Sequence, residues 1–585
     1  MKFLKIFTNA FLAGTYGSFL YLLLVFYVNP GMELTGAGYF SLFPFLGIPY
    51  AAGTGILFTF CLLAVRPFWI GSLKPRWIGF RYTVWMLVVN LFLLALLYGA
   101  SRWVYRHVLP PTLLRVLLIS TAAVLGLALI LMTAVLMRRR KTRKSRRLGI
   151  SLGLVLGLFL LWWLRAAYPP HGEIPSGAQL PEGISTPGTF ILGIGAASLD
   201  LVVPLMAEGK LPAISQIFRD GAAGRLRGFR PADPAALWAS LSTGKYPFQH
   251  GRFGDSKYRI LGSGLELDLL PWGFPRSALQ FLGILQTHPV DPASRKAKPF
   301  WEILGEFGEP ITVGNWDAAG WINPVPAGSS MPVRGDAGGG NPTGWDDLAD
   351  WQSVGLFTIE EAIEELSVPG GPLDEEIQEA LQGELVEAIG EDLAVVRETR
   401  RILDTDPPRV LALRLRGLER ISRFFLKYHR PEEFGNVPGE NIARYGGVLE
   451  AYYRFLDDVC DQLRDRLPEG GRLFVVSPLG IEPMRFPERM MSRFKGRTLV
   501  SGSIRGAPDG LFLAVGEGIQ AGVQIEAATL FDFLPTLLYS LELPVGRDLQ
   551  GRTLTEIFQK EFVREHPVTL IPSYETAKVQ PRRPE

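Results

Sequence analysis

The pattern of apolar and polar positions divides the chain into two parts. Before Pro169 it consists of long apolar runs with few acidic residues, and five of these runs are long enough to cross a bilayer, which takes about 20 residues each. After Gly188, short apolar runs alternate with amphipathic stretches that carry nearly all the Asp and Glu. We therefore predict an N-terminal membrane domain, residues 1–167, with five transmembrane helices at Ile6–Val28, Tyr39–Val65, Tyr82–Ala100, Leu113–Met137 and Leu148–Leu164.

The distribution of basic residues predicts the orientation of these helices. The loop between the second and third runs carries Arg66, Lys74, Arg76 and Arg81, and the loop between the fourth and fifth contains Arg138–Arg147. Basic loops face the cytoplasm, so an odd number of spans places the N-terminus inside and the remainder outside. We expect a multi-pass protein of a bacterial inner membrane with a periplasmic or extracellular C-terminal domain.

The run Arg138–Arg147 could also indicate a nucleic-acid patch. Its position between two spans favours a topogenic role beside lipid headgroups, and no nucleic-acid partner is expected. The spans carry no charged residue near their centres, which argues against a transport path through the membrane domain. The two cysteines, Cys61 and Cys460, are too few for a zinc thiolate cluster.

The second part begins with a Pro- and Gly-rich linker, residues 168–188. Beyond it, helical patterns at Ala394–Leu403 and Gly446–Leu467 separate short, continuously apolar runs that are typical of strands buried on both faces. These runs are Thr189–Ile194, Ile311–Trp316, Arg409–Leu415, Arg472–Ser477 and Leu511–Val515. We predict one α/β domain, residues 189–558, with a mostly parallel sheet covered by helices on both faces, and an extended tail, residues 559–585.

The turn after the first of these strands reads "GIGAAS", from Gly193 to Ser198. Two of the three glycines of a dinucleotide-binding loop are present, but the acidic residue expected about 20 residues later is missing. The pattern therefore does not favour a dinucleotide site.

The longer segment "GIGAASLDLVVPLMAEGKLPAISQIFRDGAAGRLRGFRPADPAALWASLSTGKYPFQHG" resembles the opening of type I phosphodiesterase and nucleotide pyrophosphatase-like members of the alkaline phosphatase superfamily. The segments "KPFWEILGEFGEPITVGNW", "VLEAYYRFLDDVCDQLRDRL" and "LFDFLPTLLYSLELPVGRDLQGRTLTEIF" continue the resemblance in order. The resemblance implies an alkaline phosphatase-like fold, two metal ions, usually zinc, bound by Asp and His, and a Thr or Ser nucleophile.

The matched positions at the start of the family pattern have lost their reactive side chains. Gly195 stands at the position of the first metal-binding aspartate. Pro234 stands at the position of the nucleophile, and an alignment shifted by one residue gives Asp233 instead. None of these residues has a hydroxyl group that could attack phosphorus.

The later positions show the same losses. Glu419 and Arg423 occupy the places of an Asp-x-x-x-His pair, so only Glu419 could bind a metal. Pro478 and Leu479 replace the family's Asp-His pair, and Ile504 replaces its final histidine. The resemblance thus implies a pseudoenzyme without catalytic residues, metal or other cofactor, which acts as a binding or accessory subunit with protein partners in an envelope complex.

Other interpretations remain open. Arg423 and Arg505 could bind an anionic group through charge-assisted hydrogen bonds, or form ion pairs with carboxylates such as Glu419. An active phosphodiesterase or phosphotransferase would need a new ligand set, for which the candidates are Glu419, Asp233, His250 and Asp255. His250 is otherwise expected to be a structural hydrogen-bonding residue.

Overall fold

The structure is a computed structural model of the 585-residue chain. It describes residues 2–65, 80–136, 143–166, 179–180, 187–231, 233–290, 295–307, 311–316, 375–435, 437–486, 488–490, 499–506, 508–575 and 578–579. Arg66, Lys74, Arg76, residues 138–142 and most of the 168–188 linker lie outside these residues, whereas Arg81 and residues 143–147, which were predicted to lie in loops, belong to helices. The chain divides into two compact units, Met1–Glu173 with Phe253–Asp291, and Ile174–Arg252 with Pro292–Glu585.

The first unit contains the apolar helices. Their bounds are Lys2–Val28, Gly36–Leu42, Ile48–Val65, Phe80–Val104, Pro111–Leu136 and Arg143–Ala166, with a π-helical turn at Phe43–Gly47. Within the described ranges, four spans are long and apolar enough to cross a membrane: Ile6–Val28, Gly36–Cys61, Thr83–Val104 and Pro111–Thr133. The fifth predicted span falls on the last helix, whose described apolar stretch, Gly153–Ala166, is shorter.

Tyrosine hydroxyls connect these helices. The Tyr27 hydroxyl donates to the Leu161 carbonyl at 2.9 Å, and the Tyr98 hydroxyl donates to the Leu20 carbonyl at 2.7 Å. In an apolar environment a free hydroxyl is costly, so each bond fixes a pair of helices in one register.

A seven-stranded sheet forms the centre of the second unit. Its spatial order is Val523–Thr529, Ala222–Arg227, Gly510–Gly516, Arg472–Ser477, Thr189–Ile194, Val410–Leu415 and Ile311–Gly314. Only Gly510–Gly516 runs antiparallel to its neighbours. Every residue of the three central parallel strands is buried, which requires cover on both faces. The predicted mostly parallel α/β fold is confirmed.

The helices of this unit extend or modify the predicted pattern. The two predicted helical patterns correspond to Glu375–Thr405 and Val448–Asp465. Further helices include Leu199–Ala207, Pro212–Asp220, Pro234–Thr243, Phe300–Glu306, Gly417–His429 and Phe533–Ser540. The tail predicted to be extended contains the helix Lys560–Glu565, where the Phe562 ring stacks on Phe558 at 5.1 Å. Aromatic packing thus orders residues that lack a long apolar run.

Residues Phe253–Asp291, which we call the inserted segment, interrupt the second unit in the sequence but belong to the first. The segment forms a three-stranded antiparallel sheet from Ser256–Ile260, Glu266–Leu267 and Leu285–Pro289, and the short helix Arg276–Phe281 lies between the second and third strands in the chain. This association was not predicted, because the 189–558 boundary was drawn from apolar runs alone.

Asn29 attaches the inserted segment to the end of the first helix. Its amide nitrogen donates to the carbonyls of Val25 and Leu269 at 2.7 and 2.9 Å, and its amide oxygen accepts from the backbone N–H groups of Asp268 and Leu269 at 2.8 Å each. The side chain is fully buried and uses both donors and its acceptor.

Gly193, one of the two glycines in the apparent dinucleotide pattern, has a packing role. A Cβ atom at this position would lie 2.8 Å from the ring of Trp238 and 3.2 Å from that of Trp316. The Trp238 ring in turn lies under the guanidinium of Arg414, 4.2 Å from its centroid. The glycine therefore allows the helix Pro234–Thr243 to approach the central strand.

We expect Gly193→Ala to destabilise the protein by about 1–3 kcal/mol, because the added methyl overlaps the Trp238 ring. The measurement is thermal unfolding of the full-length protein in detergent. Gly390→Ala is the matched control, since this helical glycine has open space around its Cβ position, and it should be neutral or slightly stabilising. Equal effects of the two substitutions would show that the Trp238 contact tolerates a methyl group.

His250 makes structural hydrogen bonds. Its Nε2 lies 2.9 Å from Ser240 Oγ, and its Nδ1 accepts from the backbone N–H of Arg252 at 3.1 Å. Burial, together with the charges of Arg252, Lys245 and Arg295, lowers the pKa of His250 to about 3. The folded protein therefore keeps this imidazole neutral.

Because the pKa of His250 is lower in the folded than in the unfolded chain, acid should weaken the fold. Between pH 6.5 and 3 the unfolded chain binds one more proton at this site, which costs about 1.4 kcal/mol per pH unit. His250→Asn should lower stability at pH 8 but flatten its decline with falling pH, measured by unfolding midpoints in a pH series. Gln249→Asn, at the neighbouring residue that does not titrate, serves as the control and should keep the wild-type slope. An unchanged slope in His250→Asn would contradict the prediction.

Candidate functional site

The predicted site residues lie around one edge of the central sheet. Gly195 follows the strand Thr189–Ile194, and Pro478 follows the neighbouring strand Arg472–Ser477. Glu419 is in the first turn of the helix that follows Val410–Leu415. Since these three strands are adjacent and parallel, their carboxyl ends meet at one edge, the usual place for ligand sites in such sheets.

Gly195 and Glu419 are in contact. A Cβ at Gly195 would lie 3.2 Å from the Cβ of Glu419 and 3.4 Å from the Arg416 carbonyl oxygen. The backbone N–H of Gly195 donates to the Leu415 carbonyl at 2.8 Å, which extends the strand pairing to the turn. The structure therefore brings together two of the matched positions, and only one of them carries a carboxylate.

Ser477 connects the glycine turn to the residues that replace the Asp-His pair. Its hydroxyl accepts from the Ala197 N–H at 3.1 Å and donates to the Leu479 carbonyl at 2.7 Å. Ser477, Pro478 and Leu479 are all buried. The family pattern would place metal ligands on the glycine turn and on the segment after Ser477. Here these two segments are joined directly, by hydrogen bonds and apolar packing.

Pro234 is the first residue of the helix Pro234–Thr243, and Asp233 is its N-cap. The Asp233 carboxylate accepts from the N–H groups of Ala235 and Ala236 at 3.1 and 3.4 Å. Neither alignment places a hydroxyl here. Asp233 instead has a common role of aspartate at the start of a helix.

Arg423 and the segment that contains Ile504 and Arg505 are neighbours. The Ser501 N–H donates to the Arg423 carbonyl at 2.7 Å, and a Cβ at Gly502 would lie 3.1 Å from the Arg423 Cα. The side chains of Arg423 and Arg505 are exposed. Among the described residues, neither arginine forms an ion pair with Glu419, so the ion-pair alternative is not observed.

Asp392 holds the helix that carries Glu419 and Arg423. Its carboxylate accepts from the N–H groups of Arg416 and Gly417 at 2.8 and 2.9 Å and from the Tyr452 hydroxyl at 2.5 Å. Burial raises the pKa of Asp392 to about 6, although these hydrogen bonds act in the opposite direction. Sequence reasoning missed this residue, because its helix was predicted only from Ala394 onward.

The matched positions do not fit a two-metal centre. Glu419 is their single carboxylate or imidazole, and within the described ranges no group of three or more His, Cys, Asp or Glu side chains could hold a metal ion. Of the other candidate ligands, Asp233 caps a helix and both His250 ring nitrogens have partners. The proposed alternative ligand set is therefore not assembled.

Several solved structures are similar to this one at low identity. Wild-type alkaline phosphatase PafA is 12% identical with a TM-score of 0.40, and the match covers 65% of this chain and 100% of that chain. Murine ectonucleotide pyrophosphatase/phosphodiesterase 5 is 12% identical with a TM-score of 0.34, covering 64% and 100%. Its human counterpart is 11% identical with a TM-score of 0.35, covering 65% and 99%. No curated protein matches the chain.

The family model described as type I phosphodiesterase / nucleotide pyrophosphatase matches residues 190–495. This family is metal-dependent, so the prediction that the protein has no cofactor is wrong. Because the matched positions offer only Glu419, metal ions would need further ligands from elsewhere in the chain. The matched residues span more than half of the sequence, and the chain therefore belongs to the type I phosphodiesterase / nucleotide pyrophosphatase family.

Proposed function

We propose that this protein is a membrane-anchored pseudoenzyme whose phosphodiesterase-like region binds an anionic ligand without cleaving it. The observation that carries the proposal is Pro234 at the nucleophile position. A proline side chain has no hydroxyl to attack phosphorus, and the neighbouring Asp233 is engaged as a helix cap. This argument concerns the nucleophile and applies equally to a metal-loaded chain.

The proposed anion-binding site consists of Arg423 and Arg505. Both guanidinium groups are exposed and their segments are adjacent. Guanidinium groups bind phosphate and carboxylate through paired hydrogen bonds. A phosphate or phosphate ester is the chemical class that such a pair would take.

The proposal also includes the location of the phosphodiesterase-like region relative to the membrane and its role there. Four helices suitable for crossing a membrane precede the phosphodiesterase-like region. With the apolar run Leu148–Leu164 as a fifth span, the basic loops place that region outside the cytoplasm, in the periplasm of a bacterium. A binding domain tethered there fits an accessory subunit of an envelope complex, with another protein as its partner.

The competing function is hydrolysis or phosphoryl transfer on envelope substrates by a rearranged, metal-loaded site. The metal dependence of the family favours it. It would require an attacking group other than a side-chain hydroxyl at residue 234, such as a metal-activated water.

Turnover of bis(p-nitrophenyl) phosphate by the full-length protein in detergent separates the two functions. We expect no rate above the buffer background with added Zn²⁺ or Mn²⁺, because the nucleophile position has no hydroxyl. A metal-dependent rate that a chelator abolishes, and that Glu419→Gln lowers in equally folded protein, would establish the competing function.

Binding is measured separately by calorimetric titration with inorganic phosphate. The double substitution Arg423→Ala, Arg505→Ala should weaken affinity by about 10-fold or more, since hydrogen bonds to charged groups contribute about 1.5–3 kcal/mol each. Arg401→Ala, at an exposed arginine paired with Glu398, is the matched control and should leave affinity unchanged. Equal affinity in all three proteins would rule out these arginines as the anion site.

A further inference from the structure

The inserted segment exposes a group of large apolar side chains. Phe281 is 91% exposed and Leu282 is 64% exposed, and about half of Leu261 and Trp272 is exposed as well. The short helix Arg276–Phe281 uses Leu279 as its buried anchor, so Phe281 and Leu282 are not part of the local core. Contiguous exposed apolar groups of this kind mark an interaction surface.

Contacts within the first unit place this surface beside a membrane span. A Cβ at Gly262 would lie 2.7 Å from the ring of Phe45, which belongs to the candidate span Gly36–Cys61. The next residue back, Leu261, donates its N–H to the Ile284 carbonyl at 2.9 Å. The turn that carries Phe281 and Leu282 thus adjoins the end of the small sheet that touches the span.

Three further contacts join the inserted segment to the helices of the first unit. The Tyr105 hydroxyl donates to the Leu270 carbonyl at 2.6 Å, and the Trp272 N–H donates to Ser101 Oγ at 3.1 Å. The Phe274 ring stacks on Tyr21, seven residues before the end of the first helix, with 6.3 Å between centroids. Phe274 and the Trp272 backbone therefore contact residues within two spans, whereas Leu269 and Leu270 contact Asn29 and Tyr105, just past the ends of the same helices.

Two exposed tryptophans, Trp103 and Trp272, belong to this part of the first unit. Trp103, at the end of the third candidate span, is 66% exposed, and Trp272 lies near it through the Ser101 contact. Tryptophan side chains of this kind concentrate where membrane proteins cross the interface between lipid and water. Arg276, whose guanidinium lies 4.9 Å from the Tyr258 ring centroid, begins the helix that ends at Phe281. Its charge suits lipid phosphates at that interface.

We propose that the inserted segment is a lipid-binding element, with Phe281 and Leu282 inserted among the acyl chains of the leaflet at the Val28 end of the first helix. The occupant is lipid because the surface is continuous with apolar spans that a bilayer must surround. The inference rests on the membrane anchoring in the proposed function. It adds a second contact with the bilayer, outside the candidate spans, made by a segment interrupting the phosphodiesterase-like region.

The test uses full-length protein reconstituted in vesicles of phosphatidylcholine and phosphatidylglycerol that contain nitroxide-labelled lipids. Phe281→Cys and Leu282→Cys, in a Cys61→Ala background, are labelled separately with an environment-sensitive fluorophore, while the other native cysteine, Cys460, is buried. Both probes should lose most of their fluorescence, and more with the nitroxide near the headgroup than with one at the chain end. Interfacial apolar side chains lie about 5–10 Å into the headgroup and acyl boundary.

Two controls make the result decisive. Pro289→Cys, at the opposite end of the strand Leu285–Pro289, should show little quenching. Native Cys61, exposed on a candidate span, should be quenched if the helices are embedded. Quenching at Cys61 with none at 281 and 282 would overturn this inference alone, whereas no quenching at Cys61 would overturn the membrane anchoring itself. Blue-shifted but unquenched probes at 281 and 282 would show that protein, and not lipid, covers them.

Discussion

The close approach of Trp238 to Gly193 is the contact on which the phosphodiesterase-like unit depends. A Cβ at Gly193 would lie only 2.8 Å from the Trp238 ring, so the helix Pro234–Thr243 packs directly on the central strand. Arg414 covers the Trp238 ring, and its guanidinium donates to the Trp316 carbonyl at 3.0 Å, so the next strands are tied to the same cluster. Since Pro234 begins this helix, the position that the family resemblance matches to the nucleophile is fixed by packing below the site.

At the carboxyl edge of the sheet, hydrogen bonds between protein groups hold the turns and the start of a helix together without a cation. Ser477 connects two turns through its single hydroxyl, and Asp392 fixes the start of the helix that carries Glu419. A buried carboxylate without a cation or hydrogen-bond donors would be strongly disfavoured. Gly195, Pro478 and Leu479 carry no charge and do not incur that penalty.

The sequence predicted the parts of the fold whose residues are buried along their whole length. Continuous apolar runs gave the central strands, whereas the family resemblance came from four sequence segments that occur in the family's order. The strands Ala222–Arg227 and Val523–Thr529 escaped prediction because exposed residues alternate with buried ones and give only a weak apolar signal. The site positions were predictable because the motifs fix them, whereas the contacts of Ser477 and Asp392 depend on residues distant in sequence.

The position of the inserted segment also constrains the order of biosynthesis. Asn29 lies 240 residues before its partner Leu269, so the ribosome completes the apolar helices well before that partner exists. At 5–20 residues per second the delay is roughly 10–50 s. During that interval the buried amide of Asn29 must find substitute partners, such as water or lipid headgroups. The apolar helices of the first unit therefore acquire the Asn29 contacts with Asp268 and Leu269 only after the first part of the phosphodiesterase-like region has been translated.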